Sequence, residues 1–146
     1  DPDGAYAAAI PKFIKAFINH QSPVIHGDGS QSRDFTYIDN VIQANMLAAI
    51  TNDKNAINQV YNVACGEQSF LKDLVSHLRS LLAEFDPYIK EVKIKNGPER
   101  VGDIKHSLAS IDKAKKLLNF KPTHNLKKGL EDAIIWYWNY FNNNKI

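Results

Sequence analysis

The sequence holds one cysteine, one methionine and seven glycines among 146 residues. A single thiol, Cys65, excludes an internal disulfide and fits a reducing compartment, so the cytoplasm is the expected location. It ends the apolar run Val60–Cys65 and reads as buried and inert rather than as a nucleophile. The glycines (4, 27, 29, 66, 97, 102 and 129) never form a G-x-G-x-x-G or phosphate-loop pattern, which leaves no dinucleotide or triphosphate cradle. No stretch approaches the roughly 18 apolar residues of a membrane span. Metal-ligand spacing is missing too: there is no paired cysteine and no H-E-x-x-H, and the five histidines are scattered. The net charge of +2 is small, and the densest basic patches, Lys113-Ala114-Lys115-Lys116 and Lys127-Lys128, suit solvated helix faces. A nucleic-acid partner is therefore not expected.

What remains is an ordinary globular composition, 44% hydrophobic and 23% charged, enough for one domain with a real core, taken as residues 1–146. Asp1-Pro2-Asp3-Gly4 reads as a turn, so the chain starts inside a loop and is expected to be a piece of something larger. Gly4–Ile10 is expected as loop, because the residue before Pro11 is pushed out of the α region. Phe13, Ile14, Phe17 and Ile18 then give a helix over 12–19. Residues 22–26 and 34–38 read as short strands on either side of the Gly27-Asp28-Gly29-Ser30 turn. Asp39 is expected to cap a helix reaching Ile50, and Ser69 a helix carrying Leu71, Leu74, Val75, Leu78, Leu81 and Leu82. Residues 59–65 read as a buried strand and 89–95 as an edge strand. Residues 96–108 are irregular and polar, 110–118 a short helix, and Asn125 caps a last helix with the stripe Leu126, Leu130, Ala133, Ile134, Tyr137, Trp138 and Phe141. Trp136 and Tyr140 lie off that stripe and suggest an apolar docking surface. The class is α/β, with helices, a few short strands and no complete doubly wound sheet.

Two segments carry polar groups that a core does not explain: His26–Asp34 and Pro98–Ser107. Each joins a turn glycine to one arginine, Arg33 in the first and Arg100 in the second. A guanidinium presents a planar fork of donors suited to phosphate oxygens, and a carboxylate such as that of Asp103 accepts from hydroxyls. The residues alone leave two readings open. One is a grip on a nucleotide diphosphate. The other is surface ion pairing, Arg33 with Asp34 or Asp39 and Arg100 with Asp103, worth little.

DPDGAYAAAIPKF, GDGSQSRDFTYI, YNVA and RVGDIKHS, in this order, resemble extended short-chain dehydrogenases/reductases acting on nucleotide sugars, the NAD-dependent epimerase/dehydratase family. The finer resemblance, carried by DPDGAYAAAIPKF and RVGDIKHSLASIDKAKKLL, is to bacterial UDP-N-acetylglucosamine 4-epimerases. It runs from Asp1 to about Tyr140 and covers only the back part of such enzymes. None of the six tyrosines has a lysine four positions on, so the Tyr-x-x-x-Lys of the family is absent along with its glycine turn.

The resemblance implies a small C-terminal substrate-binding lobe with no catalytic residue of its own, its NAD-binding Rossmann half lying upstream. Arg33 and Arg100 would hold the diphosphate and Asp103 the ribose. Ala8 and Ala9 would run beside the nucleotide, and Val24, Ile25 and His26 would pass the uracil mainly by backbone groups. Tyr37, Ser107 and Ser110 are expected to serve local structure. The implied activity is 4-epimerisation of UDP-N-acetylglucosamine and UDP-N-acetylgalactosamine in polysaccharide synthesis. The lobe would anchor UDP while the sugar C4 is oxidised and re-reduced by NAD, in a parent protein that is a homodimer. Another NDP-sugar epimerase or dehydratase, or a non-catalytic nucleotide-sugar binding module, is the alternative.

Overall fold

The computed structural model describes residues 9–143. Their contacts divide them into two compact units, one of 9–31, 70–104 and 130–143 and one of 32–69 and 105–129. The described part is mixed α/β, with five α-helices and four very short strands.

In the first unit, α1 (Ala9–Ile18) turns Pro11, Phe13, Ile14, Phe17 and Ile18 inward and packs against α3 (Leu71–Leu82), which buries Leu74, Val75, Leu78 and Leu82. Phe17, Ile14 and Leu78 are fully buried, each removal from water being worth about 1.5–3 kcal/mol. The helix starts earlier than proline spacing suggests: Ala9 and Ile10 are helical, not loop. Pro11 falls in the first turn, where the missing N–H has no intrahelical partner to lose. At the other end His20 takes a left-handed φ of 52°, and its N–H closes on the Phe17 carbonyl at 2.9 Å.

The strand β1 (Val24–His26) pairs in parallel with β4 (Lys95–Gly97), His26 opposite Gly97. The strand expected over 89–95 is thus displaced. Pro87–Glu91 instead forms a 3-10 helix, started by the Asp86 carboxylate, which accepts the Tyr88 N–H at 3.0 Å. Ile89 points into the core from it. Ser69 does not cap α3. The first free N–H groups there, of Leu71 and Lys72, go to the Gln31 and Gly29 carbonyls at 2.8 and 3.2 Å, so the backbone of the glycine turn does the capping. From α5 (Leu126–Asn143) the residues Leu130, Ile134 and Phe141 are buried in keeping with their stripe, and Trp138 stacks on Phe85 at 5.0 Å. Trp136 is exposed and stacks on the half-buried Tyr140.

In the second unit, α2 (Ile38–Ile50) packs against α4 (Asp112–Leu118), and the core consists of Ala44, Ala56, Ala64, Ile111, Ala114, Leu118 and Phe120, with Leu47, Tyr61, Val63 and Leu117 packed against it. Residues 34–38 are not a strand: β2 is Ser32–Arg33 and the helix already starts at Ile38. Asp34 bridges loops instead, its two carboxylate oxygens accepting the Cys65 and Gly66 N–H groups at 2.9 Å each. Residues 59–65, expected as a buried strand, carry none. Only the last of them, Cys65, is tied down by Asp34, and Val60 is 85% exposed.

Asp39 lies inside the first turn of α2, so it is not the cap, which falls on Tyr37. Tyr37 also packs on Gly129, where an added Cβ would come within 3.0 Å of its side chain. The β3 strand, Ser69–Phe70, is a two-residue piece. Ser110 accepts the Asp112 N–H at the start of α4, and Asn119 ends that helix in the left-handed region. Asn125 caps α5 as its sequence suggests, accepting the Lys128 N–H at 3.0 Å.

Candidate functional site

The first unit contains a cleft of about 350 Å³ lined by Ala9, Lys12, Phe13, Ala16, Ser22, Pro23, Val24, His26, Leu71, Arg100 and Asp103. Three pieces of local structure build it. On α1, residues 9, 12, 13 and 16 share a face by helical spacing, and this face supplies Lys12 against an apolar wall. On β1, side chains alternate, so Val24 and His26 face the cleft while Ile25 turns into the core at 4% exposure. The third piece is the turn 100–103, closed by the Asp103 N–H on the Arg100 carbonyl at 3.2 Å. Gly102 supplies a φ of 79° there with open space around it, so the turn needs glycine for its backbone angle and not for room.

Of the residues expected to bind, Ala9, Val24, His26, Arg100 and Asp103 are thus brought to one cleft. Ile25, expected beside them, is buried in the core and is not part of the lining. Arg33 lies in the second unit and does not line this cleft; its Nη1 donates to the Ser32 carbonyl at 2.8 Å. Ala8 lies outside the described residues. Lys12, Phe13, Ala16, Ser22, Pro23 and Leu71 complete the lining without having been singled out from sequence. The spacing of Ala9, Lys12 and Ala16 carried the signal, hidden because Phe13 and Phe17 mark the helix as a core element.

His26 is oriented by its Nδ1, which lies 3.1 Å from the Pro98 carbonyl. A carbonyl only accepts, so Nδ1 carries a proton in this contact and Nε2 is left toward the cleft side of the ring for other partners. Gly97 allows this approach. A Cβ there would come within 2.9 Å of Val24 and 3.4 Å of His26. Lys12 and Arg100 bring two fixed positive charges and Asp103 one negative charge. Such a cleft can hold an anion by its cations, hydroxyls by its carboxylate, and a flat ring against Phe13, Pro23 and Leu71.

The second unit has a cavity of about 370 Å³ lined by Cys65, Glu67, Lys115, Pro122, Thr123, Asn125 and Lys128. Cys65 is half-buried rather than buried, and its thiol donates to the His124 carbonyl at 3.5 Å. Burial pushes its pKa up, Glu67 and Asp34 push it further, and Lys115 opposes them. A thiol held protonated in this way is a poor nucleophile. Elsewhere in this unit Ser32 is fully buried between Gln68, which donates to its Oγ at 2.6 Å, and His106 Nδ1 at 2.8 Å. Ser107 also serves the backbone, its N–H donating to the Ser32 carbonyl at 3.1 Å. Among the described residues no cluster of three or more His, Cys, Asp or Glu is placed to hold a metal ion, and no helix is long and apolar enough to cross a membrane.

Comparison with known proteins places these elements. The family described as GDP-mannose 4,6 dehydratase matches residues 4–133. A putative UDP-glucose 4-epimerase of Methanocaldococcus jannaschii is 31% identical over 139 residues, covering 95% of this chain and 41% of that protein. Among solved structures, the UDP-N-acetylglucosamine 4-epimerase of Methanobrevibacter ruminantium in complex with UDP-N-acetylmuramic acid superposes with a TM-score of 0.81 at 39% identity, over 96% of this chain and 42% of that one. The UDP-glucuronic acid 4-epimerase of Bacillus cereus in complex with NAD gives 0.77 at 31% identity, over 96% and 40%. The chain spans about 40% of the length of the proteins it matches.

Proposed function

Because the chain belongs to the GDP-mannose 4,6 dehydratase family, corresponding to the C-terminal portion of an extended short-chain dehydrogenase/reductase, we propose that it is the UDP-sugar-holding part of an NAD-dependent 4-epimerase. The observation that supports this most is the convergence of Ala9, Val24, His26, Arg100 and Asp103 on one cleft. Arg100, with Lys12 beside it, meets the diphosphate, and Asp103 accepts from ribose hydroxyls. Val24 and His26 border the uracil, with Ala9 and Phe13 along the other side. The preferred pair of sugars is UDP-N-acetylglucosamine and UDP-N-acetylgalactosamine, in line with the bound N-acetylated ligand of the Methanobrevibacter ruminantium protein.

NAD does not fit the residues present. The chain has neither the glycine turn that carries a dinucleotide pyrophosphate nor a Tyr-x-x-x-Lys pair. The hydride chemistry is therefore assigned to a Rossmann half outside this chain, and no step of it is drawn here. What this part contributes is anchorage: a sugar that must present both faces of C4 needs its nucleotide held throughout, so binding energy belongs on UDP.

Titration calorimetry with UDP tests the proposal. The chain is expected to bind UDP weakly. Arg100→Ala should weaken it by about 1.5–3 kcal/mol, the worth of a hydrogen bond to a charged group, or roughly ten- to hundredfold in Kd. Equal affinity of variant and parent would remove the diphosphate role. The role of Arg33, which rests on the resemblance, is tested by the same titration on Arg33→Ala.

A further inference from the structure

Arg33 stands between two anchored neighbours. On one side Asp34 is fixed by the Cys65 and Gly66 N–H groups, each 2.9 Å from a carboxylate oxygen. On the other, Ser32 is fully buried, a place serine seldom takes. Its N–H donates to the Lys105 carbonyl at 2.9 Å, and its carbonyl accepts the Ser107 N–H at 3.1 Å. These two bonds make a parallel bridge of Ser32 with His106, which sets the two side chains beside each other. The same Ser32 carbonyl accepts Arg33 Nη1 at 2.8 Å, so the guanidinium takes its direction from a group that the bridge holds still.

The Ser32 hydroxyl completes the arrangement. Gln68 Nε2 can only donate and lies 2.6 Å from Oγ, so Oγ is the acceptor there. The hydroxyl proton then needs an acceptor of its own, because a buried donor left unmade is costly. His106 Nδ1, 2.8 Å away, is the acceptor within reach, and its ring keeps its proton on Nε2. His106 is itself exposed and covers nothing of the core. An exposed imidazole that turns its inner nitrogen to a buried hydroxyl is placed to orient rather than to pack.

We propose that His106 is a positioning residue, which through the Ser32 hydroxyl holds Arg33 in the orientation that meets a diphosphate. Gln68 is its counterpart on the other side of the same oxygen. A guanidinium fork that is already oriented loses less freedom when an anion arrives, so the gain appears as affinity for phosphate groups. This role rests on the proposed function, which supplies the diphosphate. The geometry separates two kinds of substitution. Asparagine puts its Oδ1 where Nδ1 stands and can accept the Ser32 proton. Glutamine reaches to the place of Nε2 and leaves that proton without a partner. His106→Asn should therefore behave like the parent, and His106→Gln and His106→Ala should not. A direct contact of Nε2 with a ligand would rank asparagine and glutamine the other way.

Nitrogen-15 relaxation of the arginine side chains reads this orientation without any ligand. The arginines are Arg33, Arg79 and Arg100, so the Nε–H signals are few, and Arg33→Ala assigns the one in question. The Arg33 order parameter is expected near the rigid-backbone value of about 0.85 in the parent and in His106→Asn. In His106→Gln and His106→Ala it should fall toward about 0.6 or below, with Arg79 unchanged. Equal order in all four proteins, or equal loss in the asparagine and glutamine variants, would overturn the proposal. Titration with UDP reads the consequence for binding. His106→Gln and His106→Ala should raise Kd about two- to tenfold, the worth of one neutral hydrogen bond, and His106→Asn should not. The rise should vanish when Arg33→Ala is already in place. A rise that persists without Arg33 would overturn the route through it. If Arg100→Ala weakens UDP and Arg33→Ala does not, the cleft keeps its function and the role of His106 falls. If neither matters, the functional reading falls, and the relaxation data alone decide whether His106 positions Arg33.

Discussion

The two units carry cavities of nearly equal size, about 350 and 370 Å³, yet with different walls. In the first, Ala9, Phe13, Ala16, Pro23, Val24 and Leu71 give an apolar floor on which Lys12, His26, Arg100 and Asp103 are set. In the second, Pro122 stands among Cys65, Glu67, Lys115, Thr123, Asn125 and Lys128, with no aromatic or large aliphatic wall. Volume therefore does not pick the site; the pairing of flat apolar wall with fixed charge does. The units are also held together differently. The first is closed by large side chains such as Phe17, Leu74 and Leu82. The second has a core rich in alanine and relies on buried polar residues to tie its loops.

That contrast can be broken by mutation. Phe17→Ala should cost the most, about 3–5 kcal/mol, because a fully buried aromatic leaves a cavity among residues of two packed helices. Urea unfolding measures it, and a loss under 1 kcal/mol would mean that the first unit does not depend on packing. In the second unit the heavy loss should come from a polar residue. Asn40 donates to the His124 carbonyl at 2.7 Å and accepts the Thr123 and His124 N–H groups at 2.8 and 3.2 Å. Asn40→Ala strands these groups, at about 1–3 kcal/mol for a buried polar group left unmade. Asn40→Asp, which keeps the acceptor, should recover part of the loss. A harmless Asn40→Ala would undo the comparison.

The smallest effect expected is on alkaline stability. The thiol of Cys65 has a raised pKa in the folded state, so the unfolded chain loses its proton first as pH rises. Its contribution is complete below the ordinary thiol range and fades as pH climbs through the raised value. The phenol of Tyr137, raised by burial, acts in the same sense at higher pH. Cys65→Ala should flatten the first part of the decline, and an unchanged profile would deny the thiol this role. Alkylation of Cys65 at neutral pH should also be slower than that of a free cysteine.

The helices with a one-sided apolar stripe were legible in the sequence, and residues such as Phe17, Leu78 and Ile134 fall inside as their spacing requires. Of the strands, the one expected over 22–26 was legible, as β1 (Val24–His26); those expected over 34–38, 59–65 and 89–95 were not. An apolar or β-branched run such as 59–65 becomes a strand only if another backbone pairs with it, and here the N–H of its last residue, Cys65, goes to the carboxylate of Asp34 instead. Caps were legible where a side chain does the capping, as at Asn125, and hidden where the distant carbonyls of Gly29 and Gln31 do it for α3. The cleft shows the same division. The charged and turn residues of 98–107 stood out, whereas Lys12 and Leu71 join it only through the packing of α1 and α3.

The central claim is that the cleft of the first unit, and not the cavity of the second, takes the nucleotide. Backbone amide shifts recorded by NMR during a UDP titration test it most directly. The account predicts changes concentrated at 9–16, 24–26 and 100–103, and their loss in Arg100→Ala. Changes centred on Cys65, Lys115 and Lys128, or none anywhere at saturating UDP, would contradict it.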